Sequence, residues 1–420
     1  MKRQTHILLV LIVLALSLTA RAQKVSTAQP APVDRTLSDA SFTKGVEAMH
    51  NLDFEEARRH FHEVQQRFPD HPAGPYYLAA NLFLRTLTKP SRLLPLLFNL
   101  SRSKTFGENS DDKVDQDTVQ QFRALTRQAR LLAKARLERD FRDPVALYFL
   151  GATHGLSAAF KGTLEGSVIG AMRDGSSGVD KHRELIKVDP NFHDAELSIG
   201  LYDYTVGALP LPVKVMAAIA NVRGSKKRGL ETLERVGREG RLERYISRLL
   251  LVILYKREKR YAEALDRARE LTASYPRNYL FKLAAADAFV SQAVAYRLTN
   301  QPTATSLEGE AFAIFDSMLN GPVAREAPAP PVELIHFIYG EALLKTGQAE
   351  RAARHFLAAT SAPRAEISIV TIAHLRGAQA FDLADKRREA LAQYEIVMRR
   401  PNAYHSRERA AQGLRKPYKE

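Results

Sequence analysis

Three groups of residues in this 420-residue chain have types that could do chemistry. Gly170 and Gly175 with Ser176 directly after make most of a phosphate-cradling loop. Such a loop, GxxxxGK(S/T), needs its lysine to reach the phosphates; that lysine is missing, so packing is the expected role. His60 and His62 lie two apart, and His62-Glu63 has no second histidine after it. Helical residues two apart do not share a face, whereas a HExxH zinc site needs its histidines at i and i+4. His193 and Asp194 stand where a helix should begin, and capping is the expected role. No GxSxG nucleophile elbow occurs and no local context favours a glycosidase carboxylate pair. Cysteine is absent, which excludes thiol catalysis, disulfides and cysteine metal sites. The reading is no catalytic residue, no metal and no cofactor.

The elements that must carry these residues repeat. In 38–71, Gly45 and Ala57 are followed by Phe61, Val64 and Pro69. The pattern returns as Val252, Ala264, Ala268, Leu271 and Pro276 in 245–278, and as Gly340, Ala352, Phe356 and Ala359 in 333–366. It returns again as Gly377, Ala390, Tyr394 and Val397 in 370–403, one residue longer between the first two. Small residues at a helix crossing let two backbones approach, a bulky one four residues on fills the gap to the next hairpin, and proline stops the second helix. The spacing resembles the tetratricopeptide repeat (TPR), whose period is about 34 residues. That predicts an all-α, TPR-like α-solenoid of about eight antiparallel helix pairs over 38–420, with a C-terminal capping helix at His405–Leu414. Repeats should be degenerate or insert-bearing at 72–240 and 279–320, with a long helix from about Thr118 to Arg139 and a hairpin starting at Pro144. Gly162, Gly166 and Gly170 recur every four residues, which predicts one shared helix face for close packing.

Residues 1–22 read as a secretory signal peptide: Lys2 and Arg3, an apolar run Ile7–Leu18, then Ala20-Arg21-Ala22. The run is short of the roughly 20 residues that span a bilayer. Residues 23–37 read as a flexible linker. Export, most simply to a periplasm, is therefore expected. The chain carries a net charge of +15. Within 223–260, 13 lysines and arginines face five acidic residues. In an exported protein such a stretch points to anionic headgroups or an acidic protein rather than nucleic acid. Lys226, Lys227, Arg228, Arg235 and Arg238 form the expected basic patch.

Residues 194–240 resemble a group of exported bacterial TPR proteins with a mid-chain DAxxxxGxYxY…LP…G…+GLxxL pattern. The matching residues are Asp194, Ala195, Gly200, Tyr202, Tyr204, Leu209, Pro210, Gly224, Arg228, Gly229, Leu230 and Leu233. Ser225-Lys226-Lys227 departs from it, since an acidic residue is expected before the arginine. A fainter likeness extends to the eukaryotic TPR family that includes a fungal mitochondrial outer-membrane protein linked to inclusion-body clearance. The resemblance implies the fold, and a defined activity only weakly.

The repeat offsets place Phe42, Val46 and Met49, and Leu334, Phe337 and Glu341, on an inner face. These are mostly apolar and lack the lysine and asparagine of a carboxylate clamp, so a groove for a helix or extended apolar peptide fits better. Tyr202 and Tyr204 are either packing residues or part of that groove. The expected function is an exported scaffold that binds an envelope protein or peptide, with the basic mid-region steering an acidic partner. The alternative is a peripheral membrane protein using the apolar insert 213–222 and the basic segment 223–260.

Overall fold

Capping chemistry and apolar spacing cut the chain into helices. The structure, a computed structural model, describes residues 34–93, 113–219, 223–321, 330–363 and 365–419. The expected signal peptide lies outside these residues. Eighteen α helices and one short 3-10 turn occur among them, with no strand. In order they are α1 (Ala40–His50), α2 (Phe54–Arg67), α3 (Ala73–Leu87), α4 (Gln116–Arg139), α5 (Pro144–Thr163) and α6 (Val168–Val188). After the 3-10 turn His193–Ala195 come α7 (Glu196–Gly207), α8 (Leu211–Ile219), α9 (Lys226–Glu239), α10 (Arg244–Arg257) and α11 (Tyr261–Ser274). Then follow α12 (Tyr279–Tyr296), α13 (Gln301–Asn320), α14 (Val332–Lys345), α15 (Ala349–Thr360), α16 (Ile367–Leu383), α17 (Arg387–Met398) and α18 (Ser406–Arg415). This is the TPR-like all-α class, with seven packed helix pairs among the described residues and α18 as the cap; α8 is the insert between α7 and α9. The long helix and the Pro144 start fall where the sequence puts them. Asp143 caps α5 by accepting from the Ala146 amide at 2.9 Å, with proline in the first turn.

The chain forms two units, one of residues 34–87 and 113–251, the other of 88–93 and 252–419 among the described residues. In the first unit α1 pairs with α2, α3 with α4, α5 with α6, and α7 with α9. The small positions work as the spacing implies. A Cβ on Gly45 would stand 2.6 Å from the Phe61 ring, and Phe61 is fully buried. The Gly170–Gly178 region is a helix contact: a Cβ on Gly178 of α6 would meet the Gly151 carbonyl of α5 at 2.8 Å. Gly162, Gly166 and Gly170 do not share a helix face, contrary to the period-four reading. Gly162 closes α5, Gly166 turns between the helices with φ +66°, and Gly170 opens α6. A left-handed turn costs glycine little, and four-residue spacing alone cannot see it.

Of the expected linker, only residues 34–37 are described, and they are held. The Asp34 carboxylate accepts from the Thr36 amide (2.9 Å) and from His71 Nε2 (3.2 Å), with Arg136 3.8 Å away. Burial would raise this carboxyl, but the His71 contact and the Thr36 and Leu37 amides outweigh it and hold it at about 2.

In the second unit α12 pairs with α13, α14 with α15, α16 with α17, and α18 packs on α17 and α16. A Cβ on Gly340 would meet Phe356 at 2.7 Å, the same contact as Gly45 with Phe61. In the last hairpin the relation changes. Gly377 has only ordinary contacts, and Tyr394 is approached instead by Gly413 of the cap, at 2.2 Å from a built Cβ. Ser91 joins this unit: its amide donates to Glu366 at 3.0 Å, and its carbonyl accepts from the Tyr404 hydroxyl.

Candidate functional site

The expected groove residues are core. Phe42, Met49, Leu334 and Phe337 are buried, and Val46 packs against the same cluster as Phe42. Phe42 lies edge-on to Tyr77 and Phe337 edge-on to Phe356. The offset that marks an inner face on one helix also marks packing contacts, with the next hairpin at Phe42 and with the second helix of the same hairpin at Phe337. Tyr202 packs with Val179 and Val206 beneath the Arg183 guanidinium, and Tyr204 is fully enclosed beside Gly229. Both tyrosines are packing residues.

The basic patch is partly spent within the fold. Arg228 forks onto Asp203, with Nη2 donating to Oδ1 at 2.8 Å, and Arg235 forks onto Glu196 at 2.7 Å through both nitrogens. These two pairs fasten α9 to α7, as bidentate guanidinium–carboxylate geometry does. Lys227 and Arg238 remain outward, each 3.9 Å from a neighbouring glutamate. Lys226 is only half exposed.

Polar side chains instead converge once in each unit, around one partly exposed acidic residue. In the first unit the centre is Glu243, just before α10. The Tyr148 hydroxyl of α5 donates to its Oε1 at 2.6 Å. Tyr76 and Tyr77 of α3 stand edge-on to each other and against Phe149. Tyr245 lies on the His50 ring of α1, with centroids 3.4 Å apart. Asp194 builds the turn that delivers Glu243: its Oδ1 accepts from the amides of Arg241, Leu242 and Glu243 at 2.8–2.9 Å. The capping expected of Asp194 is therefore not made to its own helix; its carboxylate holds the turn before α10 instead. Burial, helped by the nearby Asp194 charge and opposed by the Tyr148 bond, pushes Glu243 up to about 7. His50 and His182 are driven the other way by burial, to about 3 and about 4, and stay neutral. His182 Nε2 donates to the Tyr148 carbonyl at 3.1 Å while Nδ1 accepts from Ser198 at 2.7 Å, which locks the helix carrying Tyr148.

In the second unit Asp287 of α12 lies between Lys256 of α10 and Lys345 of α14, the latter at 2.9 Å. Burial and then the Lys345 charge press the Lys256 ammonium down to about 7. Deeper in the same unit, Glu341 is forked by Arg376, with Nη2 donating to Oε2 at 2.9 Å. Asp382 accepts from Arg387, the Tyr394 hydroxyl and the Tyr418 amide at 2.8–2.9 Å. Among the described residues no group of three metal-ligating side chains converges, and no helix is long and apolar enough to cross a membrane.

No family model matches the chain, and no curated protein matches it. Solved structures similar to it include the human IFIT1 dimer with PPP-AAAA, at 12% identity over 91% of this chain and 85% of that one, TM-score 0.43. A tetratricopeptide repeat protein from Parabacteroides merdae is similar at 13% identity, 85% of this chain and 100% of that one, TM-score 0.32. Yeast Tom70 is similar at 11% identity, 89% and 87% coverage, TM-score 0.35.

Sequence reasoning missed Glu243, because GREGRLERY reads as a solvated basic helix. The one local signal is Tyr76-Tyr77 on a helix that is buried along its whole first half.

Proposed function

We propose that this protein is a non-enzymatic, exported scaffold of the bacterial cell envelope that holds a polypeptide partner along the first helices of its hairpins. The observation that carries the reading is the convergence of Tyr76 and Tyr77 of the second hairpin and Tyr148 of the third on Glu243, which lies in the turn before α10 and is partly open to solvent. A hairpin stack needs no ionisable group there for its own packing, and a strongly perturbed carboxyl that still reaches solvent marks a functional position. In-cell photocrosslinking tests it, with probes replacing exposed Arg241 beside the first cluster, exposed Lys345 in the second, and Arg388 on a second helix as control. Discrete protein adducts from 241 or 345 but not 388 are expected; adducts from none, or equally from all three, would sink the reading. Export is tested separately by sequencing the N-terminus of the periplasmic form, which should begin at Gln23.

A second reading has one observation in its favour: Leu211, Val213 and Val215 of the insert are exposed, Leu211 at 75%. A short apolar strip beside Lys214 suits a headgroup interface. Lys214→Glu with Lys227→Glu should then abolish binding to phosphatidylglycerol vesicles, whereas unchanged binding would exclude this surface. Arg228 is unsuitable for that test because it holds Asp203.

A further inference from the structure

Glu243 is a carboxyl group beside aromatic rings with no cation on it among the described residues. Its hydrogen bond comes from the Tyr148 hydroxyl, and its nearest charged neighbour, Asp194, has the same sign. Tyr76 and Tyr77 are more than nine-tenths buried, with 8% and 5% of their surface left to solvent, and neither hydroxyl makes a hydrogen bond among the described residues. Each hydroxyl has lone pairs to offer.

The groups around this spot could have supplied the missing charge and do not. His50 on α1 and His182 on α6 are held neutral by burial. Arg244 turns its Nε to the Gly240 carbonyl at 2.9 Å, and the charge of Arg241 bears on Asp194. Tyr245 closes the remaining side with its ring on His50. A half-buried carboxylate without a cation is costly to keep, and an anionic ligand would meet two carboxylates.

Resting on the polypeptide-binding reading above, we infer that the Tyr76–Tyr77–Tyr148–Glu243 cluster receives a basic side chain, lysine or arginine, of the bound partner. The ammonium or guanidinium pairs with Glu243 and donates hydrogen bonds to the Tyr76 and Tyr77 oxygens, so that charge pairing and hydrogen bonding add. Specificity follows from negative charge without a compensating cation: an acidic or neutral side chain gains nothing there.

The test uses the whole mature chain carrying ¹³C-labelled tyrosine rings, titrated with blocked Gly-Lys-Gly, Gly-Arg-Gly and Gly-norleucine-Gly peptides. The lysine or arginine peptide should shift the Tyr76, Tyr77 and Tyr148 signals, and the norleucine peptide should not. Binding a cation favours ionised Glu243, so the apparent Kd should fall about tenfold per pH unit up to about 7 and level off above it. Glu243→Gln keeps the shape and the acceptor for Tyr148; it should weaken binding at least tenfold and flatten the pH profile. Tyr76→Phe, which removes only a hydroxyl, should weaken binding a few-fold. Equal response to the lysine and norleucine peptides, or unchanged lysine binding in Glu243→Gln, overturns the inference. Should the crosslinks from position 241 still form in that case, only the cation assignment falls. Should wild type give no crosslinks, the scaffold reading falls instead, whatever the peptides do.

Discussion

Glu341 in the second unit and Glu243 in the first are treated in opposite ways. In the second, Glu341 lies under the fork of Arg376, and Asp382 takes Arg387, Tyr394 and the Tyr418 amide together. Both charges are answered, and the answer ties α14 to α16 and the C-terminal tail to α16. In the first, Glu243 has one tyrosine hydroxyl and a like-charged neighbour. The first arrangement is what stability asks of a buried charge; the second works against stability and suits a ligand. The same residue type is thus structural in one unit and available in the other, and the difference lies in what stands opposite.

The largest expected effect breaks the satisfied side. Arg376→Ala strands Glu341 in the interior and should cost about 3–5 kcal/mol, measured by urea unfolding. The double change Arg376→Met with Glu341→Leu should recover most of that loss, because it removes both charges together. A single substitution that costs nothing would show that the pair is not buried as described.

The unsatisfied side should respond with the opposite sign. Glu243 has a folded-state pKa raised from 4.5 to about 7. The folded state therefore holds this proton more tightly than the unfolded chain, and the resulting stability is fully present below pH 4.5 and lost as pH rises through 7. Glu243→Gln should make the protein more stable than wild type at pH 8 by up to ~3 kcal/mol, with the gain shrinking toward zero at pH 4.5. Thermal melts across that range check it; a variant less stable than wild type at pH 8 would mean that the carboxylate is compensated.

Asp34 supplies the acid-side contrast within the same unit. Its pKa is lowered from 3.8 to about 2, so its contribution is present above pH 3.8 and lost as pH falls through 2. Asp34→Ala should remove about 2 kcal/mol at pH 7, and limited proteolysis should then cut near residues 34–37.

Much of this fold was legible because it is periodic. Gly45 and Phe61 stand in the same relation as Gly340 and Phe356, so a spacing read twice in the sequence is one contact made twice in space. Helix starts at Pro144 and near Thr118 follow from local chemistry. The site was not legible, because nothing local distinguishes Glu243 from Glu239. Its environment comes from Tyr76, Tyr148 and Asp194, each at least 49 residues away in sequence. The groove assignment failed for the complementary reason: the period gives a face, but Phe42 is spent on Tyr77 of the next hairpin and Leu334 is buried. Asp34 was read as linker because its partners, His71 and Arg136, belong to different hairpins.

The smallest expected effect asks whether the repeat rule itself is uniform. Gly45 and Gly377 occupy the same repeat position, yet a Cβ would collide with Phe61 at the first and find only ordinary neighbours at 3.6–3.7 Å at the second. Both lie inside helices, where alanine is favoured over glycine by about 1 kcal/mol. At Gly45 the collision should dominate, since the Phe61 ring is wedged against Tyr77 and cannot retreat, and overpacking costs about 1–3 kcal/mol. At Gly377 nothing opposes the propensity, so Gly377→Ala should stabilise by some tenths of a kcal/mol up to ~1 kcal/mol. Opposite signs in parallel urea titrations would show that the glycine is required where an aromatic faces it and is replaceable where Gly413 of the capping helix has taken over that contact with Tyr394.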